Sequence, residues 1–341
     1  MNFKVCVVGA GAIGGLIGTR LAVAGQAQVC ALARGATLAA LQQHGWRLDT
    51  SAGALQAATT ASDEAMALGV QDLVVVAVKG QSLPALAASL APLLGPHTRV
   101  MLAMNGVPWW FCDNQPGFAG TGLASVDPGG HIARAIPTHQ VAGCVVHASC
   151  SVVEPGRVQH RQGLGLIVGH ALGGQQPRVQ TVVDLLAGAG FAATHSPDVR
   201  QDIWFKLLGN MTMNPVSALT GATIDRVLAD PLVRAFCSAA MAEAGELGAR
   251  IGCPARTDPE SRHAVTVKLG AFKTSMLQDV ESGRGIELDG LLTVLHEMAS
   301  RLGVATPNIN ALLGLTRLSA RVRGLYPVAE VQPPTPTSTL D

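Results

Sequence analysis

The first hydrophobic segment of the chain is a short run, residues 5–8, that ends at a glycine-rich turn. Apolar side chains then recur at Leu16, Ile17 and Leu21, before a glycine at position 25. A short apolar run followed by apolar residues at helical spacing predicts a strand, a tight turn and a helix. The chain therefore begins with a βα unit of the kind from which parallel sheets are built.

The turn between this strand and helix has G-x-G-x-x-G spacing, with glycines at positions 9, 11 and 14. The first permits the sharp turn, the second lets a pyrophosphate approach the backbone, and the third allows the helix to pack closely on the strand. Free N–H groups at the N-terminus of the helix also attract phosphate. The loop that we predict to bind a dinucleotide consists of Gly9, Ala10, Gly11, Ala12, Ile13 and Gly14.

A second predicted strand covers residues 28–34 and ends in Arg34. In dinucleotide-binding folds the residue about 20 positions after the glycines meets the adenosine ribose, and an acid there binds the 2′-hydroxyl of NAD. A guanidinium suits a 2′-phosphate instead, through charge-assisted hydrogen bonds worth about 1.5–3 kcal/mol. Arg34 therefore predicts NADP(H) rather than NAD(H) as the cofactor.

Two further apolar runs predict strands at residues 72–78 and 99–104, with a helix over 82–94 between them. The first run is almost continuously apolar, as strands buried in parallel sheets are. Lys79 follows it directly, and Asn105 follows the second run. Because open α/β sheets bind ligands at the carboxyl ends of their strands, we predict that Lys79 and Asn105 contact the cofactor.

The remaining pattern of the first half predicts a mixed sheet and several helices. Expected elements are a helix over 37–45, a small hairpin from 47–50 and 55–60, a long hairpin from 141–153 and 157–168, a helix over 177–190 and a strand over 191–195. Residues 106–130 read as a loop whose Trp109 and Trp110 suit the core and ligand contact equally well. Cys144, His147 and Cys150 are candidate metal ligands on one predicted strand. Because side chains alternate along a strand, Cys144 and Cys150 lie on one face and His147 on the other, so we predict no metal site there.

Strand patterns end near residue 196, and helical patterns follow to about residue 323. We predict a Rossmann-type α/β domain over 1–196, an all-helical domain over 197–330 and a disordered, Pro/Thr/Ser-rich tail over 331–341. Helices are expected over 198–220, with a kink or an end at Asn214-Pro215, and over 263–282. A further helix follows Glu287 and stops at Gly303.

One polar stripe interrupts the apolar surface of the predicted helix over 198–220. Lys206, Asn210 and Asn214 are spaced i, i+4 and i+8, so they share one face of the helix. Apolar residues occupy most of the other sides, and a helix of that kind is buried. Buried polar groups need partners, so this stripe predicts a pocket for a polar substrate.

Composition excludes several classes of function. The chain has 341 residues, is 48% hydrophobic and only 4% aromatic, and carries a net charge of +1. These values favour a folded core and give no electrostatic case for nucleic-acid or membrane partners. No apolar run approaches the roughly 20 residues that span a bilayer. Seven irregularly spaced cysteines indicate no disulfide framework, so a cytoplasmic protein is expected.

Taken together and in order, these motifs resemble the ketopantoate reductases (2-dehydropantoate 2-reductases). The resemblance implies a Rossmann-type domain, a helical domain, and an active site in the cleft between them. It also implies NADPH-dependent reduction of ketopantoate to pantoate, a step of pantothenate biosynthesis. The segments that carry it are the glycine loop, Arg34, Lys79, Asn105-Gly106, Trp204 to Pro215, Ser275 to Asp279 and Glu287 to Asp289.

The resemblance also implies roles for individual residues. Lys206 would be the general acid that protonates the developing alkoxide, and Glu287 would position cofactor or substrate. The residues that would bind the carboxylate and hydroxyl groups of the substrate, beside Lys206 itself, are Asn105, Asn210, Asn214 and Ser275.

Two departures from the family leave alternatives open. Bulky aromatic residues, Trp109 and Trp110, follow Asn105, and Leu292-Thr293 stands where the family often has Asn-Gly. The alternative they leave open is a related reductase of another branched 2-oxo acid. Independently of them, a 3-hydroxyacid dehydrogenase of the same two-domain plan and a silent NADP-binding regulator remain alternatives. The apolar helical half is also compatible with a homodimer.

Overall fold

The computed structural model describes residues 3–328 except 116, 119 and 269, so the predicted tail over 331–341 lies outside the described residues. The strands are β1 (Phe3–Val8), β2 (Ala27–Leu32), β3 (Trp46–Thr50), β4 (Gly53–Ala57), β5 (Thr60–Ser62), β6 (Leu73–Val76), β7 (Arg99–Leu102), β8 (Val141–Glu154), β9 (Arg157–His170) and β10 (Ala192–His195). No described helix is both long enough and apolar enough to cross a membrane.

Helices surround this sheet and make up the second half of the chain. They are α1 (Ala12–Ala24), α2 (Gly35–His44), α3 (Ala65–Leu68), α4 (Leu83–Leu86), α5 (His131–Ala135), α6 (Pro177–Gly188), α7 (Val199–Thr220), α8 (Ile224–Ala229), α9 (Pro231–Arg250), α10 (Pro259–Val267), α11 (Ser275–Glu281), α12 (Val294–Leu302) and α13 (Pro307–Val322). Among the described residues every strand lies before α7.

The sheet is mixed, with strand order β4-β3-β9-β8-β7-β6-β1-β2-β5 and with β10 beside β9. Strand β1 pairs in parallel with β2 on one side and with β6 on the other, so the strand order reverses there. Such a switch point opens a crevice at the carboxyl ends of the strands. The two predicted hairpins, β3 with β4 and β8 with β9, are confirmed. The short edge strand β5 was not predicted.

Two apolar cores lie on opposite faces of the sheet. One packs α1 and α6 against the sheet and includes Leu16 and Leu186. The other continues without a break from Val76 and Leu102 on the opposite face into the helical domain, where it includes Met211 and Leu295. The helical domain is therefore held to the sheet by shared hydrophobic burial, the main favourable term in folding.

The aromatic loop after β7 belongs to this shared core. Trp109 is 3% exposed and Trp110 2% exposed, so the structure assigns both to packing. Phe111 stacks on Trp204 of α7 with ring centroids 5.8 Å apart. The guanidinium of Arg200 lies over the ring of Phe111, and its Nε donates to the carbonyl oxygen of Phe111 at 2.8 Å. The loop is thus an anchor between the domains.

A second tie joins the same loop to the segment before α12. Gly106 has φ +85°, and a Cβ there would lie 2.5 Å from the carbonyl oxygen of Gly290. The N–H of Val107 donates to that carbonyl at 2.8 Å. Only glycine permits this close approach, because the position combines a left-handed backbone with no room for a side chain.

Three predicted helices differ from the observed ones. The expected helix over 82–94 is a short α-helix, α4, followed by a 3₁₀ segment over Ala87–Leu93 that contains Pro92. The expected helix over 263–282 is two helices, because Gly270 has φ +70° and Thr274 caps α11 by accepting from the N–H of Leu277. The helix α7 does not end at Asn214-Pro215 but continues to Thr220, and Gly221 closes it.

We expect Gly106→Ala to lower the free energy of unfolding by about 2–5 kcal/mol, because it adds backbone strain to a clash with Gly290. Urea-induced unfolding measures this change. The matched control is Gly25→Ala, which has φ +67° but nothing within 4 Å of the added Cβ, and it should cost only about 1–2 kcal/mol. Equal losses in the two variants would mean that the contact with Gly290 contributes nothing.

Candidate active site

The glycine loop is closely packed at two positions and open at a third. A Cβ on Gly9 would lie 2.6 Å from Cγ1 of Val78, and one on Gly14 would overlap the carbonyl oxygen of Gly9. A Cβ on Gly11 would meet nothing within 4 Å, and this residue directly precedes α1. The turn and packing roles predicted for Gly9 and Gly14 are therefore observed, and the backbone at Gly11 is open to a ligand.

Arg34 follows β2 and lies beside this loop. The N–H of Gly9 donates to the carbonyl oxygen of Leu32 at 3.0 Å, which holds the carboxyl ends of β1 and β2 side by side. The Arg34 side chain is exposed. It forms no ion pair with any residue that the structure describes. Its guanidinium is thus available to an anion at this edge of the sheet.

Lys79, which was predicted to contact the cofactor, is engaged by the helical domain. Its Nζ lies 2.7 Å from Oδ2 of Asp279 and donates to the carbonyl oxygen of Gly285 at 2.8 Å. Asp279 is only 7% exposed and also pairs with Arg284. The charge of Lys79 therefore compensates a buried carboxylate, and this ammonium ties the carboxyl end of β6 to α11.

Glu287 reaches back to the same edge of the sheet. Its Oε1 accepts a hydrogen bond from the N–H of Gly80 at 3.0 Å. Burial raises the pKa of Glu287 above its usual value, while the Gly80 hydrogen bond and the charge of Lys79 oppose that shift. Lys206 also lies close enough to lower the pKa of Glu287. The carboxylate is therefore placed between the sheet edge and α7.

Lys206 is held by two acceptors of the sheet domain. Its Nζ donates to Oδ1 of Asn105 at 2.9 Å and to the carbonyl oxygen of Val146 at 2.6 Å. An ammonium has three N–H donors, so one remains for a ligand. Lys206 and Asn105, which lie 101 positions apart in the chain, are thus brought into direct contact, as expected of an active site between the domains.

Burial lowers the pKa of the Lys206 ammonium to about 8. Cys144 and Glu287 oppose this shift, whereas the charge of Arg262 adds to it. An amine with a pKa near the working pH loses and regains its proton readily, and such a group suits acid–base catalysis.

A small cleft opens beside Lys206 between the two domains. Its polar lining consists of Asn105, Lys206 and Asn210. Its apolar lining consists of Met104, Gly106, Cys144, Val145, Ile203 and Leu207. Because Ile203, Lys206 and Asn210 project from one side of α7, the helix presents both polar and apolar groups to the cleft.

Two predicted substrate ligands lie outside this lining. Asn214 is one helical turn beyond Asn210 and only 7% exposed. Ser275 is the exposed first residue of α11, which packs against α7. Ser275 is therefore near the same helix, but the structure does not bring it into the cleft with Lys206.

Several contributors to the site could not be read from the sequence. The carbonyl of Val146 is a backbone group, so no residue type signals it. Arg262 affects Lys206 from α10, which is 56 positions away in the chain, and nothing in its local sequence marks it. Asp279 belongs to one of the segments that carry the family resemblance, but its pairing with Lys79 depends on the docking of the domains.

The predicted side-chain directions on β8 are confirmed. Cys144 and Cys150 belong to or pack against the core on the α1 and α6 face, whereas His147 is exposed. In the described part of the chain, no three His, Cys, Asp or Glu residues are grouped as a metal site would need.

Comparison with known families decides the classification. The family model "Ketopantoate reductase PanE/ApbA" matches residues 5–173, and the model of the C-terminal part of the same family matches residues 198–320. The chain belongs to the ketopantoate reductase family. The resemblance stated from the sequence is confirmed, and so is the fold class of a Rossmann-type domain followed by a helical domain.

Individual relatives agree with this classification. A 2-dehydropantoate 2-reductase of Mesorhizobium japonicum is 40% identical over 324 residues, which cover 95% of this chain and 99% of that protein. A crystal structure of a candidate ketopantoate reductase from Ralstonia solanacearum MolK2 has a TM-score of 0.92 and 53% identity, with 96% of this chain and all (100%) of that chain covered. The chain is therefore an oxidoreductase of the 2-dehydropantoate 2-reductase type.

The same fold occurs in a protein named for a different substrate. A D-mandelate dehydrogenase, solved with NADH and anilino(oxo)acetate, has a TM-score of 0.81 at 17% identity, and the match covers 94% of this chain and 100% of that chain. This likeness concerns the fold alone.

We expect Lys206→Met to raise the free energy of unfolding near pH 7 by about 1–3 kcal/mol, because a buried ammonium with a lowered pKa destabilises the folded state. The folded-state pKa of about 8 lies below the ordinary value of 10.5. The increase in the free energy of unfolding that comes from removing the charge is therefore largest below about pH 8. It becomes smaller as the pH rises and is absent above about pH 10.5.

Urea-induced unfolding at several pH values measures this gain, with the exposed Lys4→Met as the control. A loss of stability near pH 7 would mean that the hydrogen bonds to Asn105 and Val146 outweigh the cost of burying the charge.

Proposed function

We propose that the protein reduces 2-dehydropantoate to pantoate with NADPH and that Lys206 is the general acid. The observation that carries the proposal is the contact of Lys206 with Asn105 at 2.9 Å. This contact places an ammonium of lowered pKa beside the carboxyl end of β7, on the edge of the sheet where dinucleotide-binding folds hold their cofactor.

The residues at the crevice fit NADPH. The open backbone at Gly11 and the N-terminus of α1 suit the pyrophosphate, because unpaired N–H groups and the helix dipole attract anions there. Arg34 lies beside them with no carboxylate partner among the described residues, so it suits the 2′-phosphate. When bound, NADPH supplies a hydride to the keto carbon of the substrate.

Lys206 has the donor that the reaction needs. Two of its N–H groups are directed to Asn105 and Val146, and this leaves the third to donate to the keto oxygen of a substrate in the cleft. As the keto carbon is reduced, that oxygen gains negative charge, and a proton from Lys206 neutralises it. A hydrogen-bonding group held in place in this way costs little reorganisation in the transition state.

The remaining predicted ligands are proposed to bind the substrate around this point. Asn210 shares the cleft with Lys206 and offers amide hydrogen bonds to the substrate. Asn214, one turn farther along α7, and Ser275, at the start of α11, lie outside the cleft and would join only if the substrate draws the second domain inward. Ile203 and Leu207 form an apolar wall suited to a branched aliphatic body.

Glu287 is proposed to act as a positioning residue. Its hydrogen bond to the N–H of Gly80 fixes the segment after β6, and its charge favours the protonated form of Lys206. Lys79, whose ammonium is engaged by Asp279, is proposed to join the cofactor site by positioning the same segment.

The competing functions differ in measurable ways. A reductase of another 2-oxo acid has the same cofactor site with a different preferred substrate, and a 3-hydroxyacid dehydrogenase would oxidise a 3-hydroxy acid instead. A silent regulator would bind NADPH and turn over none of these compounds. Oxidation of NADPH measured with a panel of 2-oxo acids, including ketopantoate, identifies a 2-oxo acid reductase and its preferred substrate. Reduction of NADP⁺ measured with 3-hydroxy acids then separates the dehydrogenase from the silent regulator.

We expect Lys206→Ala to lower kcat for ketopantoate by about 10²–10⁴-fold, the usual contribution of a general acid. NADPH binding, measured by fluorescence, should stay nearly unchanged because the phosphates of the cofactor are proposed to be held by the glycine loop and Arg34 and not by Lys206. The control is Lys273→Ala, an exposed lysine that pairs with Glu281 away from the cleft. Turnover at the wild-type rate in Lys206→Ala would refute the assigned role.

We expect Arg34→Ala to weaken NADPH binding by roughly 10- to 150-fold, the value of one charge-assisted contact. NADH lacks the 2′-phosphate, so its binding should change far less. Titration of the variant and wild type with both cofactors measures the two effects, and equal weakening would rule out the 2′-phosphate assignment.

A further inference from the structure

A second cavity lies on the opposite side of α7 from the cleft. Leu208 lines it, and this residue is two positions, or about 200° of helical rotation, from Lys206. The other walls come from α9, from α10 and from the segment between them, and the cavity volume is about 200 Å³. That is below the roughly 300–1,000 Å³ of sites for drug-sized ligands, so the cavity suits a smaller ligand.

The lining combines an apolar floor with one cation. Met241 and Gly245 of α9 form the floor with Leu208, and Arg262 of α10 supplies the guanidinium. Sites for small molecules usually have this composition, in which apolar groups bind the body of the ligand and a few polar groups orient it.

Arg262 lacks a charged partner. Its guanidinium lies over the ring of Phe205 at 5.0 Å, and Nη1 has a long contact of 3.4 Å with Oγ1 of Thr266. Its Nε is buried without a hydrogen-bond partner. No carboxylate in the described part of the chain forms an ion pair with it. Burial lowers its pKa below the usual value, which is the response of a cation whose charge is not compensated.

The nearest carboxylate of the cavity wall is already engaged. Asp258 lines the same cavity, but its Oδ1 accepts from the N–H of Ser261 at 2.9 Å and its Oδ2 accepts from Oγ of Ser261 at 2.6 Å. It therefore caps α10 and leaves the guanidinium without an anion.

Two glycines inside helices preserve this arrangement. A Cβ on Gly209 of α7 would lie 2.6 Å from Nη2 of Arg262, so only glycine lets the guanidinium lie against the helix there. Packing does not require glycine at position 245. A Cβ added there would lie 3.7 Å from the Cβ of Ala255, which is an ordinary contact distance. Glycine inside a helix costs roughly 0.5–1 kcal/mol relative to alanine, and at Gly245 its effect is to keep the cavity open.

We propose that this cavity is a binding site for a small aliphatic carboxylate, with the carboxylate paired to Arg262 and the apolar body against Leu208 and Met241. The site is separate from the cleft and does not depend on the substrate proposed above. An anion supplies the charge and the acceptors that the guanidinium lacks, and a bidentate carboxylate is the group that matches its geometry.

Occupancy of the cavity has a consequence for the cleft. Arg262 contacts Phe205 and Gly209, which flank Lys206 along α7, and its charge helps to lower the pKa of Lys206. Arg262 is the smallest of the influences on that pKa, so a carboxylate on Arg262 is expected to raise the pKa of Lys206 only slightly. A corresponding effect on activity rests on the general-acid role proposed above for Lys206.

The test is calorimetric titration of the full chain with 3-methylbutanoate, which has no keto group. We expect the wild type to bind it and 3-methylbutanamide not to bind. Arg262→Met, which removes the charge, and Gly245→Leu, which fills the cavity, should each weaken binding by about 10- to 100-fold. Arg250→Met, an exposed arginine of the same α9 that pairs with Glu246, is the matched control and should bind as the wild type does.

Further arms separate this site from the cleft. Binding should persist in Asn210→Ala and in the presence of saturating NADPH. Absence of binding to the wild type overturns the proposal, and so does binding that Asn210→Ala abolishes while Gly245→Leu leaves it intact. The second outcome would place the carboxylate in the cleft. If Arg262→Met fails to fold, the comparison of Gly245→Leu with Asn210→Ala still decides the question.

Discussion

The arrangement of the two domains depends on the ammonium of Lys206, which is held away from bulk water. Burying a charge is unfavourable unless hydrogen-bond acceptors are in place. Both observed acceptors, Asn105 and the carbonyl of Val146, belong to the sheet domain. The lysine itself belongs to the helical domain. The relative position of the two domains is therefore part of the site, because a shift of about 1 Å would lengthen both hydrogen bonds beyond their useful range.

The contacts that hold this position come from the same strand ends that border the crevice. After β6, Lys79 pairs with Asp279 and Gly80 donates to Glu287. After β7, Gly106 lies against Gly290. The edge of the sheet thus has two uses, since its loops both border the crevice and dock the helical domain. The cofactor proposed for this edge would therefore contact the same loops that hold the helical domain around Lys206.

Local features were predictable because they depend on neighbours in the chain. The packing of Gly9 and Gly14 and the order of strand, turn and helix follow from a few consecutive residues. The single helix expected over 263–282 was wrong. Gly270, with its left-handed backbone, and the capping residue Thr274 divide this segment into two helices. Of the kink or end expected at Asn214-Pro215, the end was wrong, because a buried helix retains most of its packing and hydrogen bonds when one N–H is missing.

The sequence by itself determined the family, the two-domain order, the glycine loop and the stripe that contains Lys206 and Asn210, because these are set by residue type and spacing. Only the tertiary structure decided which groups meet. It assigned Trp109 and Trp110 to the core and Lys79 to Asp279, and it placed Arg262, which pairs with no carboxylate of the described residues, on the far side of α7. The physical reason is that contacts between residues tens to hundreds of positions apart arise from the docking of two domains, and no local pattern encodes that docking.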